Sequence, residues 1–343
     1  MLLQTIYPPL ILIEQLGRLF RMEKIERNSN IDKAKGLLIF LVVFGHFVER
    51  YMGWHGDLSG ALLRFIYAVH MPAFIFISGM FFKIENWKDN FYRYFSIFLA
   101  FQVLYILFDY FLNGGAIYSW LSTPYWIMWF MFTLSTYCLI TPFLIKHKMV
   151  LFISIGLSIY IGLVGTDNYP FSIGRTLSFL PFFILGVLYG KKIYSVLFEK
   201  SYFTIISIAI LIALGFLSYS IHVQPSWLFG VANINNYYGS VFFEVFVKIS
   251  LLITSIVSTL SVMRLSKFLP SFFDTLGKSS LSIYLFHGFV VILISQYVHF
   301  SQPEYVMSIV CFAASLVTCI VLKEHIFGNA VDRLSKPIMN VFK

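Results

Sequence analysis

A histidine, a glutamate and an arginine stand at His46, Glu49 and Arg50, at the far end of the apolar run 36–45 that follows Lys33 and Lys35. An ionisable side chain in hydrocarbon is costly, so a histidine inside a membrane helix marks a functional site by default. The i, i+3, i+4 spacing puts the three on one helix face. They offer an imidazole base, a carboxylate to orient it and a cation for developing negative charge. Lys35 lies three turns earlier, and at 1.5 Å per residue roughly 16 Å separates it from His46 along the axis. One end of such a helix can bind charge while the other does chemistry deep in the bilayer.

The elements that must hold these residues follow from composition. The chain is 59% hydrophobic and 12% charged, with a mean hydropathy of +0.80, whereas a soluble domain carries roughly 25% charged residues. Apolar runs of about 20 residues recur to the end, the length of a membrane helix, and the alternating strands of a barrel are absent. The expected fold is all-α, a polytopic membrane bundle of about ten helices over 34–52, 60–82, 93–112, 124–145, 149–164, 173–190, 202–221, 240–262, 279–299 and 304–322. Residues 1–29 read as a cytosolic segment, lying in the membrane plane or upstream of a true start at Met22. Residues 30–325 form the transmembrane domain and 326–343 a cytosolic tail.

Lys and Arg crowd the N-terminal segment, the loops after the even-numbered spans and the tail, and are nearly missing from the other loops. That asymmetry puts both termini in the cytosol. It also accounts for the net charge of +9 through attraction to anionic lipid, with no need for a nucleic-acid partner. Cys138, Cys311 and Cys319 all fall within spans and form neither a disulfide framework nor a metal spacing.

Orientation places the remaining ionisable residues by depth. Arg64 and His70 fall in the outer half of the second span, Asp109 and Arg175 near the outer ends of the third and sixth, and Glu244 and Lys248 in the outer half of the eighth. His287 is nearer the middle of the ninth. Many costly groups at one depth suggest a water-accessible cavity opening outward. Each has a plainer reading: the arginines can snorkel, Glu244 and Lys248 can pair, and His70 can satisfy a carbonyl freed near Pro72. No His–His or His–carboxylate spacing within a helix supports a ligand set, so no metal is expected.

Five segments, in order, carry a family resemblance. Asn30-Ile31-Asp32-Lys33-Ala34-Lys35-Gly36 with Leu41 to His46 resembles the first helix of the acyltransferase-3 family, most nearly its fucose 4-O-acetylase-like branch. Val69-His70-Met71-Pro72 with Ser78-Gly79 is similar to that branch's second-helix signature. Trp126 to Met131, Ser172 to Gly186 (with Arg175) and Leu276 to His287 resemble its later motifs. The likeness departs where the wider family has Arg-x-x-Arg after the second helix: here Asn90-Phe91-Tyr92-Arg93 keeps only Arg93. The basic residue ahead of the histidine, usually Arg in the wider family, is Lys35 here.

The resemblance implies an integral membrane O-acyltransferase in a bacterial plasma membrane. It would move an acetyl group from cytosolic acetyl-CoA to a hydroxyl of an extracytoplasmic or lipid-linked saccharide or cell-surface polysaccharide. His46 would be the general base, with Glu49 fixing its tautomer. Arg175 or Arg50 would stabilise the oxyanion, and His70 and His287 would complete the acceptor side. Lys35 and Arg93 would meet the CoA phosphates. A covalent acyl-His46 intermediate is an alternative to direct transfer. Separate glycan-assembly proteins would be partners alongside the membrane lipids. The rival class is a transporter or flippase for a lipid-linked saccharide, which would favour internal repeats; none is clear.

Overall fold

In the computed structural model, which describes residues 28–114, 122–164, 169–231, 240–299 and 302–342, the first described residue already does structural work. The Asn28 side chain accepts from the backbone N–H of Asn30 at 3.0 Å and Ile31 at 3.4 Å, capping α1 (Ser29–Tyr51). Such a cap satisfies donors that a helix start otherwise leaves open, and Asp32 in the first turn suits the helix dipole. There follow α2 (Asp57–Phe81), α3 (Trp87–Asn113), α4 (Trp129–Leu144), α5 (Val150–Leu163), α6 (Ile173–Glu199), α7 (Phe203–Ser220) and α8 (Pro225–Phe229). The chain continues through α9 (Val241–Leu265), α10 (Ser271–Lys278), α11 (Ser280–Tyr297), α12 (Glu304–Leu322) and α13 (His325–Phe342), and the described residues form no strand.

Each of the ten expected spans corresponds to one of these helices. Eight are long and apolar enough to cross a membrane: α2, α3, α4, α6, α7, α9, α11 and α12. The chain is a multi-pass helical membrane protein. α1 falls short of that standard because charged residues crowd both its ends. α5 has 14 residues, about 21 Å of helix against a hydrocarbon core of about 30 Å.

The differences from expectation lie at helix ends and between spans. α6 runs to Glu199 rather than stopping near 190, so Lys191 and Lys192 are helical, and α3 begins at Trp87, so Arg93 is too. Hydropathy ends where the apolar run ends, whereas a helix continues for as long as its backbone can. The stretch from 326 is no loose tail: α13 lays Phe327 against Phe286 and Phe342 against Phe95. The expected segment 1–29 lies outside the described residues up to position 27.

α1 and α2 form the centre. The apolar window of α2 is 78% buried and that of α7 only 17%. A Cβ at Gly36 would collide with the carbonyl of Phe273, and one at Gly277 with that of Asp32, so these glycines let α10 lie directly on the start of α1. Gly79 and Gly186 do the same for α2 and α6. Close backbone approach through small residues is a common means of packing helices in lipid. Around this centre the outer helices expose Phe242 (84%), Ile205 (73%) and Phe216 (70%), a surface that suits hydrocarbon rather than water.

Candidate active site

Two cavities stack end to end along the same helices. One, about 350 Å³, lies at the His46 end of α1 and is lined by His46, Glu49, His70, Trp129 and Arg175 among others. The second, about 280 Å³, lies at the Lys35 end and is lined by Lys35, Asn90, Arg93 and several aromatic and aliphatic side chains. Successive turns serve one and then the other: Met71 and Phe74 on α2, Trp129 and Met131 on α4, Phe179 and Phe183 on α6. Tyr284 of α11 lines both and donates its hydroxyl to the Ile127 carbonyl, so it stands at the level where they part.

At the His46 end, α1 presents Glu49 one turn after His46. The Glu49 carboxylate accepts from the Tyr67 hydroxyl at 2.8 Å and from the Trp54 indole N–H at 3.1 Å. His46 Nδ1 lies 3.4 Å from the same carboxylate and 3.3 Å from the Tyr67 hydroxyl. With a carboxylate on that side, the proton sits on Nδ1 and the Nε2 lone pair is left to accept. The contact is long for a hydrogen bond, as such contacts often are before substrate binds. Trp126 meets the His46 ring edge-on at 4.7 Å and His287 stacks on it at 5.4 Å, so the imidazole is packed on two adjacent flanks.

The other two histidines are anchored to their own helices. His70 Nδ1 donates to the Ile66 carbonyl at 2.7 Å and His287 Nδ1 to that of Tyr284 at 2.6 Å. In the neutral ring this bond puts the proton on Nδ1. His70 lines the cavity, its Nδ1 bound to Ile66 rather than to a carbonyl freed by Pro72. His287 lies behind His46 rather than in the cavity lining, with its Nε2 buried and unbonded.

The arginines divide. The Arg175 guanidinium lines the cavity and rests over Trp129 at 5.2 Å and Tyr169 at 5.4 Å, contacts that hold a cation without neutralising it. Arg50 is exposed and rests over Trp126 at 5.0 Å, outside the cavity lining. The backbone is unusual at the approaches to both: Trp126 has φ +32°, and Phe171 and Ser172, just ahead of α6, have +50° and +51°. Positive φ on a bulky residue costs of order 1–3 kcal/mol and tends to cluster at functional sites.

Other groups expected at this depth do not join the cavity. Asp109 accepts from Asn113 at 2.7 Å near the end of α3. No ion pair joins Glu244 to Lys248: the lysine amine turns to Ser178 Oγ at 3.4 Å, and Glu244 Oε1 is buried without a partner. Arg64 donates to the Ser218 carbonyl on the far side of α2.

At the other end Lys35 lies 3.6 Å from Asp32 and 5.5 Å from the centre of the Phe81 ring, with 28% of its side chain exposed. Arg93 is exposed at the same mouth. Two cations at the opening of a largely apolar cavity suit a ligand with an anionic head and a slender arm. The volume is near the lower end for ligand pockets, enough for an arm and too little for a nucleotide as well. Among the described residues no group of three His, Cys, Asp or Glu side chains could hold a metal.

Sequence reading singled out His46, Glu49 and His70 but passed over Tyr67, Trp54 and Tyr284. Tyr67 carried a usable signal, since it precedes His70 by three residues and so shares its helix face. A family model for an acyltransferase domain matches residues 28–324. No curated protein and no solved structure matches the chain.

Proposed function

Since the chain belongs to the acyltransferase-3 family and is a membrane acyltransferase, we propose that it moves an acetyl group from cytosolic acetyl-CoA to a hydroxyl of an extracytoplasmic or lipid-linked saccharide. The observation that carries this reading is the pair of stacked cavities, with His46 and Glu49 in one and Lys35 and Arg93 at the mouth of the other. The fucose 4-O-acetylase-like motifs around His46, His70 and Arg175 support a sugar hydroxyl as acceptor. The Lys35 end faces the cytosol in this reading, and the site belongs to a bacterial plasma membrane.

Acetyl-CoA supplies the acetyl group as an activated thioester. Lys35 and Arg93 hold the phosphates at the mouth, one as a point charge and the other as a planar fork. Phe74, Phe130 and Tyr284 line the path toward the second cavity. His46 Nε2 takes the proton of the acceptor hydroxyl as its oxygen bonds to the acetyl carbon. Glu49 steadies the imidazolium that forms, and Arg175 faces the negative charge on the carbonyl oxygen in a water-poor cavity, where such pairing is strongest. The proton on Nε2 then passes to the departing sulfur as the C–S bond breaks, which restores the neutral base. Transfer through an N-acylimidazole on His46 uses the same residues in two steps, thiolate leaving in the first and the acceptor hydroxyl attacking in the second.

NMR of glycan from wild-type cells and from a strain lacking the gene tests the reading. It expects O-acetyl esters, removable by mild base, in the wild type alone. Unchanged O-acetylation, or loss of the whole glycan as export failure would cause, contradicts it.

A further inference from the structure

A lateral cleft lies between α2, α7 and α9. It holds about 470 Å³ and its lining is mostly apolar, with Ala68, Leu217, Phe246 and Leu251 among the side chains. Arg64 is the one Lys or Arg in that lining, with His222 the other basic side chain. Arg64 is 5% exposed; Nε donates to the Ser218 carbonyl at 2.6 Å, and Nη2 is buried with no hydrogen-bond partner. The guanidinium turns back toward Gly60, where Asp57 of the same helix interacts with it electrostatically without forming an ion pair. A guanidinium with an unused donor at the edge of an apolar cleft is a binding site for an anion attached to an apolar tail.

The cleft adjoins the active site. Leu228 of the short helix α8 lines both this cleft and the His46 cavity. On α2, Tyr67 faces the His46 cavity while its neighbour Ala68 faces the cleft. A ligand with its tail between α7 and α9 therefore lies in a cleft that Leu228 alone parts from the His46 cavity at that point.

We propose that this cleft holds the acceptor's carrier, a single-chain lipid phosphate bonded to the saccharide. The tail occupies the α7–α9 cleft, Arg64 binds the phosphate, and the sugar reaches past Leu228 to His46. The acceptor enters sideways from the membrane. The volume, in the lower half of the range for ligand pockets, suits one chain rather than the two of a glycerophospholipid. The inference deepens the acyltransferase reading above and rests on it for the sugar.

The test measures binding to the full-length protein in detergent by native mass spectrometry with three probes: farnesyl phosphate, farnesol and dioleoylphosphatidylglycerol. Farnesyl phosphate should bind at least about ten-fold more tightly than farnesol. Arg64→Gln should abolish that preference, while Leu217→Trp, on an exposed and tolerant position, should weaken both farnesyl probes by filling the cleft. Farnesyl phosphate should also inhibit acetyl transfer competitively with the saccharide and not with acetyl-CoA. Equal binding of farnesyl phosphate and farnesol, or an equal dependence of dioleoylphosphatidylglycerol on Arg64, overturns the proposal, the latter in favour of bulk anionic lipid. The binding arm needs no turnover. Missing transfer activity with intact Arg64-dependent binding would fault the acyltransferase reading alone, whereas transfer without such binding would fault the cleft alone.

Discussion

The two ends of α1 handle charge in opposite ways. At the His46 end the charged groups are packed into a frame: Glu49 is tied to Tyr67 and Trp54, the imidazole packs against Trp126 and His287, and Arg175 rests on two aromatic rings. At the Lys35 end the cations are partly or fully exposed at the mouth of the cavity. The proposed function accounts for the difference by what each end would do. A proton transfer needs heavy atoms placed to within a few tenths of an ångström, and a rigid, aromatic frame supplies that. A phosphate needs positive charge within reach, and a lysine on a flexible stem serves.

If that contrast is right, substitutions in the frame should act on turnover. The largest effect is expected for His46→Ala, a fall in kcat of at least about 100-fold, the usual scale for removing a general base, with membrane abundance near wild type. Near-normal acetylation by this variant would break the comparison at its strongest point. Glu49→Gln keeps the shape but removes the charge that steadies the imidazolium. A hydrogen bond to a charged group contributes about 1.5–3 kcal/mol, so kcat should fall by about ten- to a hundred-fold. A loss confined to KM would show that Glu49 binds the acceptor instead. Tyr67→Phe removes one neutral donor to Glu49 and should lower kcat by only about five-fold, matching about 1 kcal/mol. A loss as large as that of His46→Ala would give the hydroxyl a direct part in the chemistry.

Much of the bundle was legible because hydropathy is a one-dimensional property: ten apolar runs became ten helices. What escaped were features that depend on three dimensions. The short α8 and the amphipathic α10 contain no apolar run of their own, yet α8 walls the active-site cavity and α10 braces the start of α1. His46, Glu49 and His70 were legible as ionisable residues stranded in apolar sequence. Arg50 was placed on their face, but positions 46, 49 and 50 span about 100° of the helix and the cavity takes only the Glu49 edge. Trp54 reaches Glu49 from the loop after α1, and Tyr284 reaches the cavities from a helix more than 200 residues away in the chain, placements that no helical period encodes. Glu244 and Lys248 had the spacing of a pair, but the lysine found Ser178 instead.

The central claim, that one end binds the donor while the other does the chemistry, is tested most directly by calorimetric titration of acetyl-CoA into the purified protein and its Lys35→Ala and His46→Ala variants. Lys35→Ala should raise the donor Kd by about ten-fold, the loss of one charged phosphate contact, and Lys35→Arg should restore most of it. His46→Ala should leave donor Kd within about two-fold of wild type, since the base meets the acetyl group chiefly in the transition state. Donor binding that is indifferent to Lys35, or that falls as far without His46 as without Lys35, would contradict the division of labour along α1.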